Sequence, residues 1–317
     1  MDALIGATGF VGGALSAQHD FKAAFHSRSI EEARGKAFDT VVCAAAPGSM
    51  FEANRFPERD RARIDNLIDH LSTLKAETLV LVSTIAVLAE GGLQADETAD
   101  RFETEKAYGR HRRALEVFCA DHFRRCLIVR APALFGPGLK KNFLFDILNP
   151  TPSMLNAARL AELQAALPPG VSQSLARFYV WDEALDLFVL DRPSFNASGE
   201  RPACDAAIIE AGVSAAVFTN PASTFQYYDV SQLWADIGRG REGGLEVLHL
   251  APAPLQAGAV FTHLTGQAPP ASAAPIHHED MRTLHAGLWG RTGPYISDPP
   301  EILAVLKRFH DSAKAPA

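Results

Sequence analysis

The sequence predicts an α/β protein built on a doubly wound parallel sheet. Short apolar runs alternate with longer amphipathic segments through the first half of the 317-residue chain. One of these runs, residues 78–84 (TLVLVST), is almost wholly apolar, as central strands covered on both faces are. An alternating order of strands and helices implies parallel strands that are joined by right-handed crossovers.

Each element follows from its own pattern. The amphipathic segment at residues 61–74 carries Ile64, Leu67, Ile68 and Leu71, which share one helical face. In chain order the predicted strands are residues 3–5, 21–26, 40–43, 78–84 and 126–130, and the predicted helices are residues 10–18, 61–74 and 108–122.

Proline marks the breaks in the second half. NPTP at residues 149–152 ends the regular alternation, and APPASAAP at residues 268–275 reads as a loop. A last helix follows Asp298, which can cap it, with Pro299 and Pro300 in the first turn.

Composition limits the functional class. The chain is 47% hydrophobic and 21% charged, with a formal net charge of −7, which argues against a dedicated nucleic-acid binder. Its four cysteines form no CxxC pair, so we expect neither a disulfide framework nor a metal site. No apolar run reaches about 18 residues and no signal peptide is recognisable, so the expected location is the cytoplasm.

A glycine-rich segment lies between the first strand and the first helix. GATGFVG places Gly6, Gly9 and Gly12 at three-residue intervals. Glycines let a backbone approach a pyrophosphate, and a helix N-terminus supplies amide donors and a partial positive charge. The alternative is a tight turn without a ligand. The position after a strand and before a helix favours a dinucleotide site.

These motifs resemble the extended, epimerase/dehydratase-like branch of the short-chain dehydrogenase/reductase superfamily. The resemblance runs from residue 3 to about residue 220, through VVCAAAP, LVLVST, RAPALFGPG and RFYVWDEALDLF, the last resembling a strand-helix junction. It implies a Rossmann-type fold in which residues 1–222 bind NAD(P), with an excursion at about 141–174, and residues 223–317 form a smaller substrate lobe. The cofactor residues it implies are Gly6, Thr8, Gly9, Phe10, Val11, Gly12, Ala44, Ala45, Ala46, Ser83, Pro132 and Leu134.

The end of the second strand bears on the choice of cofactor. NAD binders of this fold usually place an acid there for the ribose 2′-hydroxyl, whereas NADP binders place a base. Here the sequence is HSRS, in which Ser27 and Arg28 can donate to a 2′-phosphate. A plain surface charge is the alternative for Arg28. We predict NADP, with NAD possible.

A hydroxyl, a phenol and a cation complete the predicted site. The family uses a Ser or Thr on the active-site strand, a tyrosine, and a lysine four residues later. Thr84, Tyr108 and Arg112 match these positions, with arginine in place of lysine. A cation beside a phenol lowers the pKa of the phenol from its usual value of about 10. We therefore expect Arg112 to tune Tyr108 and to bind the nicotinamide ribose, but not to relay a proton.

Both helix residues have simpler alternatives. Tyr108 could be a partly buried helix tyrosine, and Arg112 one of several bases on a solvated face with Arg110 and Arg113. Substrate contacts are predicted for Lys140, Lys141, Asn142 and Arg177, with an ordinary exposed loop as the alternative.

The sequence therefore predicts an NADP-dependent oxidoreductase or epimerase-like enzyme for a small substrate, such as a sugar or nucleotide sugar. Carbonyl reduction is slightly preferred over epimerisation. Ile85 and Ala86 stand where the family's dehydratases carry an acid pair, which argues against elimination of water. The competing hypothesis is a non-catalytic NAD(P)-binding sensor or scaffold that lost the active-site lysine. A homodimer is possible, and no nucleic-acid or membrane partner is expected.

Overall fold

A computed structural model of the chain describes residues 1–314. Its strands are β1 Asp2–Ile5, β2 Ala23–Phe25, β3 Ala37–Cys43, β4 Lys75–Thr84, β5 Cys126–Ala131, β6 Ala133–Phe135, β7 Met154–Leu155, β8 Tyr179–Asp182, β9 Leu187–Leu190, β10 Thr224–Phe225, β11 Tyr227–Asp229, β12 Val247–His249 and β13 Leu255–Gln256. Its α-helices are α1 Phe10–Gln18, α2 Met50–Arg55, α3 Pro57–Ser72, α4 Ala107–His122, α5 Phe143–Leu148, α6 Ala157–Ala166, α7 Pro169–Ala176, α8 Arg192–Ala197, α9 Arg201–Glu210, α10 Leu233–Glu242, α11 Ala257–Thr265 and α12 Pro299–Lys314.

The chain divides into two compact units. The first contains Met1–Leu139, Thr224–Leu255 and His278–Val305, and the second contains Lys140–Ser223, Gln256–His277 and the described chain from Leu306 onwards. The division at residue 222 that the sequence suggested remains a prediction, and the compact units follow other bounds.

A six-stranded sheet forms the centre of the first unit. Its strand order is β12-β5-β4-β3-β1-β2, and the neighbouring strands are parallel throughout. The predicted doubly wound parallel sheet is confirmed. All five predicted strands and all three predicted helices are present, and α1 has the predicted bounds.

Apolar helix faces cover both sides of this sheet. Ile64 on α3 and Leu115 on α4 pack on one side with Val41 and Leu79 of the strands. Leu15 on α1 and Ile237 on α10 pack on the other side, within a second cluster of buried side chains. Because β3 and β4 are covered on both faces, their near-continuous apolar sequences are explained.

The second unit has an antiparallel sheet of its own. β9 pairs with β7 and β8, and Trp181 lies opposite Phe188 in the β8–β9 hairpin. The predicted strand-helix junction at RFYVWDEALDLF is therefore wrong. Aromatic and β-branched cross-strand pairs favour the hairpin, and Asp182 closes its turn by accepting a hydrogen bond from the Leu185 amide at 2.9 Å.

Two further predictions concern loops and ends. Residues 268–275 are free of helix and strand, as predicted. α12 begins at Pro299, and the Asp298 carboxylate accepts a hydrogen bond from the Glu301 amide at 3.1 Å, so the predicted cap is confirmed. Within residues 1–314, no helix combines the length and the apolar character needed to cross a membrane.

Candidate active site

The glycine loop lies at the C-terminal edge of the sheet, between β1 and α1. Gly6 has a φ of +94°, and a Cβ added there would lie 2.6 Å from the Ala44 carbonyl oxygen. A Cβ added at Gly12 would lie 2.0 Å from the Gly6 carbonyl oxygen. No larger residue fits at either position without moving backbone. The loop therefore holds the start of α1 close to the strand ends.

The start of α1 leaves hydrogen-bond donors at this edge. Gly9 is the N-cap residue, and no side chain caps the helix there. The first amides of an α-helix, here those of Phe10, Val11 and Gly12, have no partner within the helix. Thr8 and Gly9 are exposed. These amides and the helix dipole suit a phosphate group.

The other predicted cofactor residues lie on neighbouring segments of the same edge. Ala44, Ala45 and Ala46 follow directly after β3 and are half-buried. Pro132 joins β5 to β6, which contains Leu134. A Cβ added at Gly138 would lie 3.8 Å from the Phe10 ring, so the glycine loop and the segment after β6 approach each other.

Arg28 lies in the turn after β2 and is exposed. Its backbone amide donates to Nδ1 of His26 at 3.2 Å. No acidic side chain among residues 1–314 forms an ion pair with its guanidinium, in contrast to nearby Arg34, which pairs with Glu31 and Asp69. Ser27 is exposed in the same turn. The cation is therefore available to an anionic ligand.

Tyr108 and Thr84 come together, as predicted. Thr84 is the last residue of β4 and Tyr108 lies in the first turn of α4. The Thr84 hydroxyl lies close enough to the Tyr108 phenol to lower its pKa. α2 fixes the start of α4, because the Asn54 side chain accepts a hydrogen bond from the Tyr108 amide at 3.0 Å. The phenol therefore lies beside the end of β4.

Arg112 is buried, not on a solvated face. Its side chain is only 3% exposed, and its Cζ lies 4.1 Å from the centroid of the Tyr108 ring. Nη2 donates to Oδ1 of Asp60 at 2.9 Å, and Nη1 donates to Oδ2 at 2.5 Å. Nη2 also donates to the Pro47 carbonyl. Among the described residues, Nε has no hydrogen-bond partner.

The electrostatic balance at Tyr108 differs from the prediction. Burial raises the pKa of Tyr108 above its ordinary value, and this outweighs the Arg112 guanidinium and the Thr84 hydroxyl, which both lower it. Asp60 adds a further rise. Arg112 thus acts on the phenol pKa in the predicted direction, but in the chain by itself burial outweighs it.

Ser83 points into a second buried network. Its Oγ donates to Oε1 of Glu116 at 2.6 Å. Arg130 donates from Nε to the same oxygen at 3.0 Å and from Nη2 to Oε2 at 2.8 Å. Arg130 also donates to Nε2 of His249 at 3.1 Å, and Nδ1 of His249 donates to the Arg282 carbonyl at 2.8 Å. Glu116 thus engages the Ser83 hydroxyl, which was predicted to bind the cofactor.

The sequence analysis missed the acidic members of both networks, Asp60 and Glu116. Each shares a helix face with a buried apolar residue: Asp60 with Ile64 on α3, and Glu116 with Cys119 on α4. A charged residue within an apolar face was the available signal, since such a charge needs a buried partner.

The predicted substrate residues all belong to the second unit. Lys140 is exposed, and Lys141 and Asn142 follow it directly. The Asn142 side chain caps α5 by accepting from the Phe145 amide at 3.1 Å. Arg177 pairs with Glu200 at 2.5 Å. Their contact with a substrate remains a prediction.

Comparison with known proteins shows the fold. No protein-family model and no curated protein sequence matches the chain. Among solved structures, it is similar to UDP-N-acetylglucosamine 4-epimerase from Methanobrevibacter ruminantium M1, with 11% identity, a TM-score of 0.61, and coverage of 98% of this chain and 96% of that one.

Two further solved structures are similar over nearly the whole chain. dTDP-4-dehydrorhamnose reductase from Bacillus anthracis, in complex with NADP, has 13% identity and a TM-score of 0.61, with 98% of this chain and 97% of that one covered. RMD from Pseudomonas aeruginosa, complexed with NADPH, has 16% identity and a TM-score of 0.57, with 99% and 100% covered. Over nearly its whole length, the chain therefore has the Rossmann-type fold of these nucleotide-sugar epimerases and reductases.

Proposed function

We propose that the protein is an NADP(H)-dependent oxidoreductase or epimerase-like enzyme that acts on a carbonyl or hydroxyl of a small sugar-like substrate. The observation that carries the proposal is the placement of Tyr108, with Thr84 beside it and the buried Arg112 against its ring, at the sheet edge that also bears the glycine loop. Ligands of open α/β sheets bind beyond this edge. The solved neighbours include enzymes named for epimerisation or reduction of nucleotide sugars.

The residues present fit a dinucleotide. Gly6 and Gly12 let the loop approach the Ala44 and Gly6 backbone closely, and the open start of α1 offers amides to a pyrophosphate. Arg28 and Ser27, at the end of β2, are placed for a 2′-phosphate, which supports NADP over NAD. A bound reduced nicotinamide would supply the hydride.

The chain's own residues account for the proton. The Tyr108 hydroxyl gives a proton to, or takes one from, the substrate oxygen, and Thr84 orients that oxygen by a hydrogen bond. Arg112 holds the phenol ring from one face. The Nη groups of Arg112 already donate to Asp60 and to the Pro47 carbonyl. Nε is therefore the group of Arg112 that could make the predicted contact with the ribose.

The non-catalytic alternative is not favoured. A pure binding protein needs no ordered phenol beside a strand-end hydroxyl, and it needs no buried cation against the phenol ring. The Arg112 side chain is enclosed and directed at Tyr108, whereas loss of the lysine without replacement would have left this position open to solvent.

A substrate screen tests the proposal. Purified protein with NADPH is mixed with nucleotide-sugar and simple keto substrates, and the absorbance of the reduced cofactor is followed. The Tyr108→Phe protein serves as the blank. We expect turnover of at least one substrate by the wild type only, with NADPH binding retained in the variant. Equal turnover by both proteins would remove Tyr108 from the mechanism.

A further inference from the structure

A carboxylate is built into the apolar face of α3. Asp60 is 5% exposed and lies one turn before Ile64, which is fully buried. It accepts hydrogen bonds from both Nη groups of Arg112 and from Nδ1 of His111 at 2.8 Å. Burial alone raises the pKa of Asp60, but these hydrogen bonds outweigh it and hold the pKa below its ordinary value. The Asp60 carboxylate is therefore ionised at neutral pH.

This carboxylate determines how Arg112 meets Tyr108. A planar guanidinium that is held by two parallel hydrogen bonds has a fixed orientation. Here that orientation places Cζ 4.1 Å from the centre of the phenol ring. The Pro47 carbonyl holds the same guanidinium from a second segment. Without Asp60, the guanidinium would keep only its hydrogen bonds to the Pro47 and Tyr108 carbonyls, which lack the two parallel contacts that fix its plane.

The carboxylate also offsets the charge of Arg112. The charged groups that act on the phenol are Arg112 from α4 and Asp60 from α3, while β4 contributes the uncharged Thr84 hydroxyl. Arg112 lowers the pKa of Tyr108 and Asp60 raises it. Since burial also raises it, the phenol keeps its proton at neutral pH.

We propose that Asp60 is a positioning residue that locks Arg112 against the Tyr108 ring and offsets the charge of that cation beside the proposed proton donor. This inference rests on the proposed function. In carbonyl reduction, a bound reduced nicotinamide would supply the hydride to the carbonyl carbon and would be left oxidised. The Tyr108 hydroxyl gives its proton to the oxygen that takes up the C=O π pair, and water then reprotonates the tyrosinate. In alcohol oxidation the same group acts as phenolate and takes the proton.

The ionisation of Tyr108 can be measured without cofactor or substrate. The chain has five tyrosines, so carbon-13 at the ring Cζ gives a simple NMR spectrum in which Tyr108→Phe identifies the Tyr108 signal. Asn keeps one side-chain oxygen that can accept from Arg112 but removes the negative charge. In Asp60→Asn we therefore expect this signal to titrate at a pH about one unit lower than in the wild type, a tenfold gain in phenolate fraction. The matched control is Asp65→Asn, on the same helix, where the exposed carboxylate pairs with Arg61.

Two results would overturn the inference: an unchanged titration in Asp60→Asn, or an equal shift in Asp65→Asn. If Asp60→Asn does not fold, the wild type decides, because its Tyr108 signal must stay that of a neutral phenol up to a pH of about 10. Ionisation near pH 7 would contradict the inference.

The effect on catalysis is tested separately with a substrate from the screen. In Asp60→Asn, the pH dependence of kcat/KM should move to lower pH by about one unit, following the pKa of Tyr108. An unchanged pH profile would refute the action of Asp60 on the proton donor. A missing NMR shift together with Tyr108-dependent turnover would refute the role of Asp60 alone and leave the proposed function intact. A clear NMR shift in a protein without turnover would refute the proposed function and leave only the effect of Asp60 on the phenol.

Discussion

The Glu116 carboxylate binds the Arg130 guanidinium through both of its oxygens, at 3.0 and 2.8 Å, with both side chains almost fully buried. Arg113 adds a contact to the same carboxylate at 3.0 Å, and Ser83 donates to it from the strand that ends at Thr84. This buried ion pair thus braces α4 against β4 and β5, the elements that position the proposed catalytic groups.

Glu116→Gln should be strongly destabilising. The substitution keeps the shape but leaves the buried Arg130 charge without its partner, which costs about 3–5 kcal/mol. Urea unfolding measures the loss. Glu162→Gln, which breaks an exposed pair with Arg159, should change the free energy of unfolding by less than about 0.5 kcal/mol. A loss below about 1 kcal/mol for Glu116→Gln would refute the bracing role.

His249 should make stability depend on pH. The neutral ring accepts from Arg130 and donates to the Arg282 carbonyl, so a second ring proton would face the Arg130 cation. Burial lowers the pKa of His249 below its ordinary value. The unfolded chain therefore takes up this proton near pH 6.5 while the folded chain does not.

The stabilising contribution of His249 is thus complete above pH 7 and is lost as the pH falls below about 6.5, by up to about 1.4 kcal/mol per pH unit. Urea unfolding at pH 7.5 and 5.5 measures it. His249→Gln should lose stability less steeply on acidification than the wild type, and His122→Gln, at an exposed position, should follow the wild type. Parallel losses in all three proteins would contradict this prediction.

Gly12→Ala should damage the glycine loop. The added methyl would lie 2.0 Å from the Gly6 carbonyl oxygen, so backbone must move, at a cost of about 1–3 kcal/mol. NADPH binding, followed by fluorescence, should weaken together with stability. Gly13→Ala is the matched control, since its Cβ meets nothing within 4 Å, and alanine should stabilise this helix position by about 0.5–1 kcal/mol. Equal changes in NADPH affinity and stability in Gly12→Ala and Gly13→Ala would show that the close approach of Gly12 to the Gly6 carbonyl oxygen is unimportant.

Arg28→Ala should change cofactor preference. Loss of a charge-assisted contact to the 2′-phosphate costs about 1.5–3 kcal/mol, so NADPH affinity should fall about tenfold or more while NADH affinity stays the same. Titration of both cofactors checks this. Lys22→Ala removes a cation that lies near the start of β2 and pairs with Asp20, and it should leave both affinities unchanged. An equal loss for NADH and NADPH would refute recognition of the 2′-phosphate.

Much of the first unit could be predicted, because its signals are local. The strand-loop-helix order around Gly6 and the bounds of α1 follow from glycine spacing and apolar periodicity. The meeting of Thr84 and Tyr108 followed from family motifs. The β8–β9 hairpin, in which Trp181 lies opposite Phe188, was not predicted. A short apolar run has too few residues for its periodicity to distinguish a strand from the first turn of a helix.

The electrostatics of the candidate site could not be predicted from local patterns. Asp60 and Arg112 are 52 residues apart and meet only when α3 and α4 pack side by side. The sign of the net effect on Tyr108 depends on burial, which only the packed structure gives. The spacing of Tyr108 and Arg112 on one helix shows that the phenol and the cation are adjacent. It does not show which other groups contact the guanidinium.

The double hydrogen bond between Asp60 and Arg112 couples the residues that positions 60 and 112 can hold. A lysine at 112 has a single ammonium and cannot reproduce the planar fork onto both carboxylate oxygens. It would leave the acid on α3 poorly satisfied in the interior. Proteins of this sequence family with lysine at position 112 should therefore also differ at position 60.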